Sequence, residues 1–266
     1  MADPRCVLLD LDGVIWLADE PIPGAADAVA RLGDLGVRVA YFTNNSFPLL
    51  AQHLDKLHRF GLEPAAEDVL TSPQAAARCC MPGERALVLG GAGILEALAA
   101  RGVEAQGVSD DMAANGADAP HVDVVVCGID PGLTYQRLAV ATGALRRGAR
   151  FVATNDDATF PRPDGVVPGA GAIVAALATA SARQPIIAGK PNAPAAELAV
   201  ERLGRIDLVV GDRASTDGAL ALRLGVPFAL VLSGVTPPEH GPLEVEPAIE
   251  AADLAALSEE LGQRWR

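Results

Sequence analysis

Two acids stand two residues apart at the end of an apolar run: Cys6-Val7-Leu8-Leu9 leads into Asp10-Leu11-Asp12-Gly13. Alternate residues of an extended chain share a face, so Asp10 and Asp12 can address one pocket while Leu11 turns into the core. A carboxylate at the end of a buried strand is costly unless something uses or pairs it. Two of them suggest a divalent cation, a nucleophile with an acid/base partner, or both. Three later segments put further reactive groups behind apolar runs: Thr43-Asn44-Asn45-Ser46, Gly189-Lys190-Pro191, and Gly211-Asp212-Arg213 with Thr216-Asp217. Singly, each has a bland reading. The threonine would cap a helix, Gly-Lys-Pro would be a turn with a solvated lysine, and Ser215 or Thr216 would cap a helix start. Chance rarely supplies all of them in this order.

The set suits phosphoryl transfer. Asp10 can attack phosphorus to form an aspartyl-phosphate, splitting one hard step into two easier ones. Asp12 can protonate the leaving oxygen and then activate water. Magnesium between Asp10 and the phosphate, held also by Asp212, would neutralise charge. Thr43 and Lys190 would bind the equatorial oxygens. Lys190 would also screen Asp10 from Asp212.

The elements that must position these groups alternate between strand-like and helix-like throughout, which predicts an α/β fold. In open α/β sheets ligands bind outside the carboxyl ends of the strands, where these residues fall. Strands are expected at Cys6–Leu9, Val37–Phe42, Asp68–Thr71, Ala86–Leu89, Val122–Cys127, Arg150–Ala153, Pro185–Ala188, Ile206–Val210 and Pro227–Val231, the last of the central strands. Helices are expected at Ala25–Leu35, Pro48–Phe60, Pro73–Cys80, Tyr135–Arg147 and Gly171–Ala182, with a Pro- and Gly-rich loop before the last. Pro82-Gly83 marks a domain boundary.

The chain has 266 residues, half of them hydrophobic, enough to bury a substantial core. Its net charge of −13 argues against a nucleic-acid surface. Cys6, Cys79, Cys80 and Cys127 form no C-x-x-C pair, so reduced thiols are expected and a zinc site is not. The apolar stretch from Gly169 to Ala182 is too short to span a membrane, which takes about 20 residues. Met-Ala-Asp-Pro-Arg shows no signal peptide, so a cytoplasmic protein without membrane partners is expected. Gly90-Gly91-Ala92-Gly93 lacks the third glycine of a dinucleotide loop, with Glu96 in its place, and reads as a tight turn. His53, His58, His121 and His240 are isolated and read as surface or capping residues, and Trp16 as packing at the rim of the site.

Asp10-Leu11-Asp12-Gly13-Val14, Thr43-Asn44-Asn45-Ser46, Gly189-Lys190-Pro191 and Gly211-Asp212-Arg213 with Thr216-Asp217 resemble, in order, the four motifs of the haloacid dehalogenase superfamily. The second acid, Asp12, resembles its phosphatase and phosphomutase branches. The long stretch from Thr43 to Lys190 resembles the branch with a large α/β cap inserted there. Thr154-Asn155 with Asp157, then Pro168-Gly169, narrows the resemblance to NagD-type phosphatases.

The resemblance implies a doubly wound parallel-sheet core at residues 1–82 and 185–266, with a cap at 83–184. It implies Asp10 as nucleophile and metal ligand, and Asp12 as acid/base that lends the metal its backbone carbonyl. It implies Thr43, Asn44 and Lys190 as phosphate binders, Asp212 as the further magnesium ligand and Asp217 as a supporting acid behind it. Asn155 and Asp157 would face the substrate from the cap. Gly218 departs from relatives that carry an apolar residue there, and touches no chemistry. The implied partner is a small phosphorylated metabolite, and caps of this family can also mediate a homodimer. Within the class, the loop from Thr159 to Gly171 resembles the glycerol-phosphate and phosphoglycolate phosphatases more than those acting on nucleotide, sugar or pyridoxal phosphates. The rivals are a phosphomutase, an inactive ligand- or partner-binding relative, and a phospho-acceptor receiver module, against which the long insertion argues.

Overall fold

The computed structural model describes residues 5–114, 121–162 and 165–265; Met1–Pro4, read above as free of a signal peptide, lie outside them. The first apolar run is the strand Cys6–Leu9, with every residue buried. It pairs in parallel with Leu208–Gly211 on one side and Arg38–Thr43 on the other. The sheet continues to Phe228–Val231 and Ile249–Ala251 at one edge and to Val69–Thr71 at the other, giving six parallel strands. Strands buried on both faces read as unbroken hydrophobic runs, which is why Cys6–Leu9, Leu208–Gly211 and Phe228–Val231 were visible in the sequence.

A second sheet has the order Ile186–Ile187, Arg150–Ala153, Val124–Cys127, Arg85–Leu89, Glu104–Gly107, also all parallel. The strand Ile186–Ile187 pairs with Val152 and Ala153. The sequence boundary at 184/185 therefore falls ahead of a strand that belongs to the second sheet. An isoleucine pair satisfies either sheet, and only the pairing decides.

Each sheet buries both faces. On one side of the six-stranded sheet Val7, Leu9, Tyr41 and Val210 pack with Leu32, Leu57, Leu257 and Leu261 of three covering helices. On the other, Leu8, Phe42 and Val209 join Ala76, Leu98 and Leu198 and, beyond them, Val88, Val126 and Val152 of the second sheet, so one apolar cluster is common to the two sheets. The outer face of the second sheet packs Leu87, Val125 and Phe151 against Leu145 and Leu177.

Several elements escaped the sequence reading, among them the strand Glu104–Gly107 and the helices Ala193–Leu203 and Ala219–Leu224. The edge strand Ile249–Ala251 follows the supposed last strand, and the helix Leu254–Trp265 closes the chain. The Pro- and Gly-rich loop is an antiparallel hairpin, Thr159–Arg162 against Gly165–Pro168. All four cysteines are free thiols. His53 is buried rather than superficial, and burial pushes its pKa down to about 4. Among the described residues no helix is long and apolar enough to cross a membrane.

Candidate active site

Asp10 leaves the end of its strand with its amide still donating to Val210 O at 2.9 Å, so the ladder holds it to the last residue. Leu11 is buried in the core, and Gly13 turns the chain at φ +84°. A side chain at Gly13 would meet more than backbone strain: its Cβ would lie 2.4 Å from Asp212 Oδ2. The turn after Asp10 and Asp12 thus packs directly against Asp212.

Asp10 Oδ1 accepts from the Leu11 amide at 2.7 Å and from Lys190 Nζ at 2.8 Å. Lys190 is buried and donates also to Asp217 Oδ1 at 2.6 Å. The lysine therefore sits between Asp10 and Asp217, not between Asp10 and Asp212 as the sequence suggested. Asp217 is fully buried in the turn Ala214–Gly218, where burial makes a cationic partner most valuable. That turn has no side-chain cap; Thr216 instead donates to Asp217 Oδ2 at 3.2 Å. Asp212 Oδ2 accepts the Val235 amide at 2.6 Å, and Thr236 Oγ1 donates to Asp212 O at 2.6 Å. Nothing in the sequence marked this anchoring by the loop after Val231.

Oxygens of Asp10, Asp212 and Asp217 lie within 4.8 Å of one another. Three carboxylates share one ammonium, so a buried excess of negative charge remains. Burial first, then the like charges, push Asp10 well above the usual carboxylate range, with Lys190 pulling it back. Burial and the neighbouring Asp217 raise Asp212 to about 6. Burial also opposes the charge of Lys190, but Asp10 and Asp217 outweigh it and hold the ammonium above its ordinary value. An all-oxygen set with surplus negative charge is what a hard divalent cation takes. The Asp12 carboxylate stands outside this cluster: Oδ1 accepts the indole N–H of Trp16 at 3.0 Å. Burial raises its pKa and that hydrogen bond lowers it, with burial the larger effect. Trp16 is accordingly buried rather than at the rim.

Thr43 ends its strand buried, with Oγ1 accepting the Asn45 amide at 3.0 Å. Asn44 ties three segments together. Its Oδ1 accepts the Lys190 amide at 2.9 Å, and its Nδ2 donates to Lys190 O and to Asp157 Oδ2, both at 3.1 Å. Its carbonyl accepts from Ser72 Oγ and Asn155 Nδ2. Asn155 is buried, and its Oδ1 has no hydrogen-bond partner among the described residues. Asp157 lies at the same wall, with its pKa raised by burial. One cleft is lined by Asp10, Asp12, Thr43, Asn44, Asn155, Asp157, Lys190 and Asp212, together with Arg213 and Thr216, to which the sequence reading assigned no catalytic or binding role. The sequence-derived set thus converges on one cleft; Asp217 alone lies behind it, under Lys190.

The run Gly90-Gly91-Ala92-Gly93 is explained by close approach. A Cβ at Gly91 would lie 2.4 Å from Phe47 O and one at Gly93 2.1 Å from Pro48 O, so these glycines let the loop after Thr43 rest on the second unit.

Comparison with known proteins agrees with the geometry. A family model described as haloacid dehalogenase-like hydrolase matches residues 7–104, and a HAD-hydrolase-like model matches 187–257. An acid sugar phosphatase of Staphylococcus saprophyticus is 33% identical over 268 residues, covering 98% of this chain and 99% of its own. The 5'-nucleotidase YutF of Bacillus subtilis is 34% identical, covering 92% and 94%. A crystal structure of glycerol phosphate phosphatase from Mycobacterium tuberculosis in complex with magnesium superposes with a TM-score of 0.83 at 34% identity, covering 96% of this chain and 77% of that one. The chain belongs to the haloacid dehalogenase-like hydrolases, in their NagD-like phosphatase branch.

Proposed function

We propose that this chain is a magnesium-dependent phosphomonoesterase of a small phosphorylated metabolite, with glycerol 3-phosphate or 2-phosphoglycolate favoured, working through an aspartyl-phosphate on Asp10. The observation that carries the reading is the convergence of Asp10, Asp12, Thr43, Lys190 and Asp212 on one cleft at the carboxyl ends of parallel strands.

Both hydrogen bonds to the Asp10 carboxylate fall on Oδ1, which leaves Oδ2 for attack on phosphorus. Lys190, fixed by Asp217, offers positive charge to the transferring phosphoryl group without having to move. Thr43 and Asn44 complete its polar surroundings. Asp12 donates a proton to the leaving oxygen and then takes one from the water that cleaves the acyl phosphate. Magnesium, held by Asp10, Asp212 and the Asp12 carbonyl, would neutralise phosphate charge. The second sheet serves as the cap, with Asn155 and Asp157 facing the substrate and water excluded on closure.

The glycerol phosphate phosphatase likeness supports the favoured substrates. Sugar and nucleotide phosphates are the rivals suggested by the other two relatives. The test is phosphate release from a panel of these compounds, 4-nitrophenyl phosphate included, with and without magnesium. Release that needs the metal and disappears in Asp10→Asn is expected, with a loss of about 10⁴-fold or more. A folded, metal-binding protein that releases no phosphate from any of them would overturn the reading in favour of a mutase or a binding role.

A further inference from the structure

We propose that Trp16 is a positioning residue for Asp12: its indole N–H occupies one carboxylate oxygen, so the transferred proton travels on the other, and Lys56 locks the ring in place. The inference rests on the phosphatase reading above and adds a part that reading does not contain.

An indole N–H only donates, and a buried one needs an acceptor. Trp16 is 2% exposed, and Asp12 Oδ1 at 3.0 Å is its acceptor. Packing alone would be met by a phenylalanine; the extra N–H creates a need that only a group such as Asp12 meets. With Oδ1 engaged as an acceptor, the proton of the neutral acid resides on Oδ2. In the first half-reaction the Oδ2–H bond breaks and the leaving oxygen gains that proton as its bond to phosphorus breaks and the Asp10–phosphorus bond forms. In the second, Oδ2 accepts a proton from water while the water oxygen bonds to phosphorus and Asp10 is released as carboxylate. Both transfers use one oxygen in one place, which is what positioning means here.

The indole is itself held from several sides. Trp16 O accepts the Gly13 amide at 2.6 Å, and Trp16 N donates to Leu11 O at 3.2 Å, closing the turn that carries Asp12. The Phe60 ring packs against the indole with centroids 5.9 Å apart. Lys56 Nζ stands 4.5 Å from the centroid of the Trp16 ring while donating to Ala18 O at 2.5 Å. A cation on the ring face is attracted to it and draws electron density from it, which strengthens the N–H as a donor. Lys56 and Lys190 are the chain's two lysines. One contacts Asp10 directly; the other reaches Asp12 through an indole.

The test compares kcat/KM for two substrates of nearly one shape, phenyl phosphate and 4-nitrophenyl phosphate. The nitrophenolate leaves without needing a proton, and the phenolate needs it. In Trp16→Phe the preference for 4-nitrophenyl phosphate should rise about 10-fold, the scale of one hydrogen bond to a carboxylate. Lys56→Met should move it the same way by about 2- to 3-fold, the scale of one cation–π contact. An equal fall on both substrates in both variants would overturn the proposal and leave Trp16 as packing. Should Trp16→Phe not fold, Lys56→Met decides together with the wild-type NMR spectrum, where Trp16 and Trp265 give the only two indole N–H signals. A Trp16 signal that exchanges with solvent as fast as that of Trp265 would also overturn it. Failure of the wild type to cleave either substrate would instead count against the phosphatase reading.

Discussion

In the six-stranded sheet the adjacent strands Leu208–Gly211, Cys6–Leu9 and Arg38–Thr43 run into Asp212, into Asp10, and onto Thr43 itself. In the five-stranded sheet the adjacent strands Arg85–Leu89, Val124–Cys127 and Arg150–Ala153 run into Gly90, Gly128 and Thr154. Both sheets are parallel and buried on both faces, so the scaffolding is the same. The difference lies in what is kept clear at the carboxyl edge. A Cβ at Gly128 would lie 2.5 Å from Ser46 Oγ, and Ser46 Oγ accepts the Ile129 amide at 3.2 Å. The second sheet uses its strand ends to dock on the first, and the first keeps its own open to a ligand. The same architecture gives a site or a joint according to the residues that end its strands.

The comparison breaks or sharpens by mutation. After Asp10→Asn, the largest effect is expected at Asp212, on the chemical edge. Asp212→Asn should lower kcat/KM on the order of 10³-fold and raise the magnesium concentration needed for half-maximal rate. A magnesium titration of initial rates checks this, and an unchanged half-maximal concentration would remove Asp212 from the metal site. At the other edge, Asp157→Asn should raise KM by roughly 10-fold with kcat held within about 2-fold, because it alters binding rather than the reacting centre. A kcat loss there as large as at Asp212 would mean that both sheets share the chemistry.

The smallest effect is on stability. Asp212 is raised to about 6, so the folded state binds its proton more tightly than the unfolded chain does. Stability from this group is therefore greatest below the unfolded carboxylate value and falls as pH rises to about 6. Magnesium competes with that proton, so the metal-induced rise in Tm should be larger at pH 7 than at pH 5, read by thermal melts at fixed magnesium. His53, lowered to about 4, acts oppositely: its contribution is present above the unfolded histidine value and is lost as pH falls toward 4. It affects metal-free and metal-loaded protein alike and cancels in the difference. A metal-induced rise that does not change with pH would show that the acids are not the ligands.

Much of the site was legible because a parallel sheet writes itself as apolar runs and binds ligands where they end. Asp10, Thr43 and Asp212 are found by that rule. Two kinds of information were not in the letters. One is choice among equivalent partners: Lys190 could satisfy Asp212 or Asp217, and only the turn at Ala214–Gly218 brings the second to it. The other is weak patterning. Thr159–Arg162 and Gly165–Pro168 carry prolines that argue against strands, yet they sit in an isolated two-stranded hairpin where a missing amide is tolerated. Ile249-Glu250-Ala251 is too short to signal an edge strand. Trp16 offered a faint clue, a donor four residues beyond an acid across a glycine turn, which becomes a hydrogen bond only once the turn closes.

Asn44 gives both its amide oxygen and its amide nitrogen to the peptide of Lys190, as a neighbouring strand would. It has to, because the last ladder contact before that lysine, Ala188 N to Ala153 O at 2.8 Å, belongs to the other sheet. The chain re-enters the six-stranded unit at the catalytic cluster itself. A gate hung on such a crossing has its hinge pin beside the lock: a rotation of one sheet against the other about that point would leave the Lys190–Asp10 contact nearest to rest.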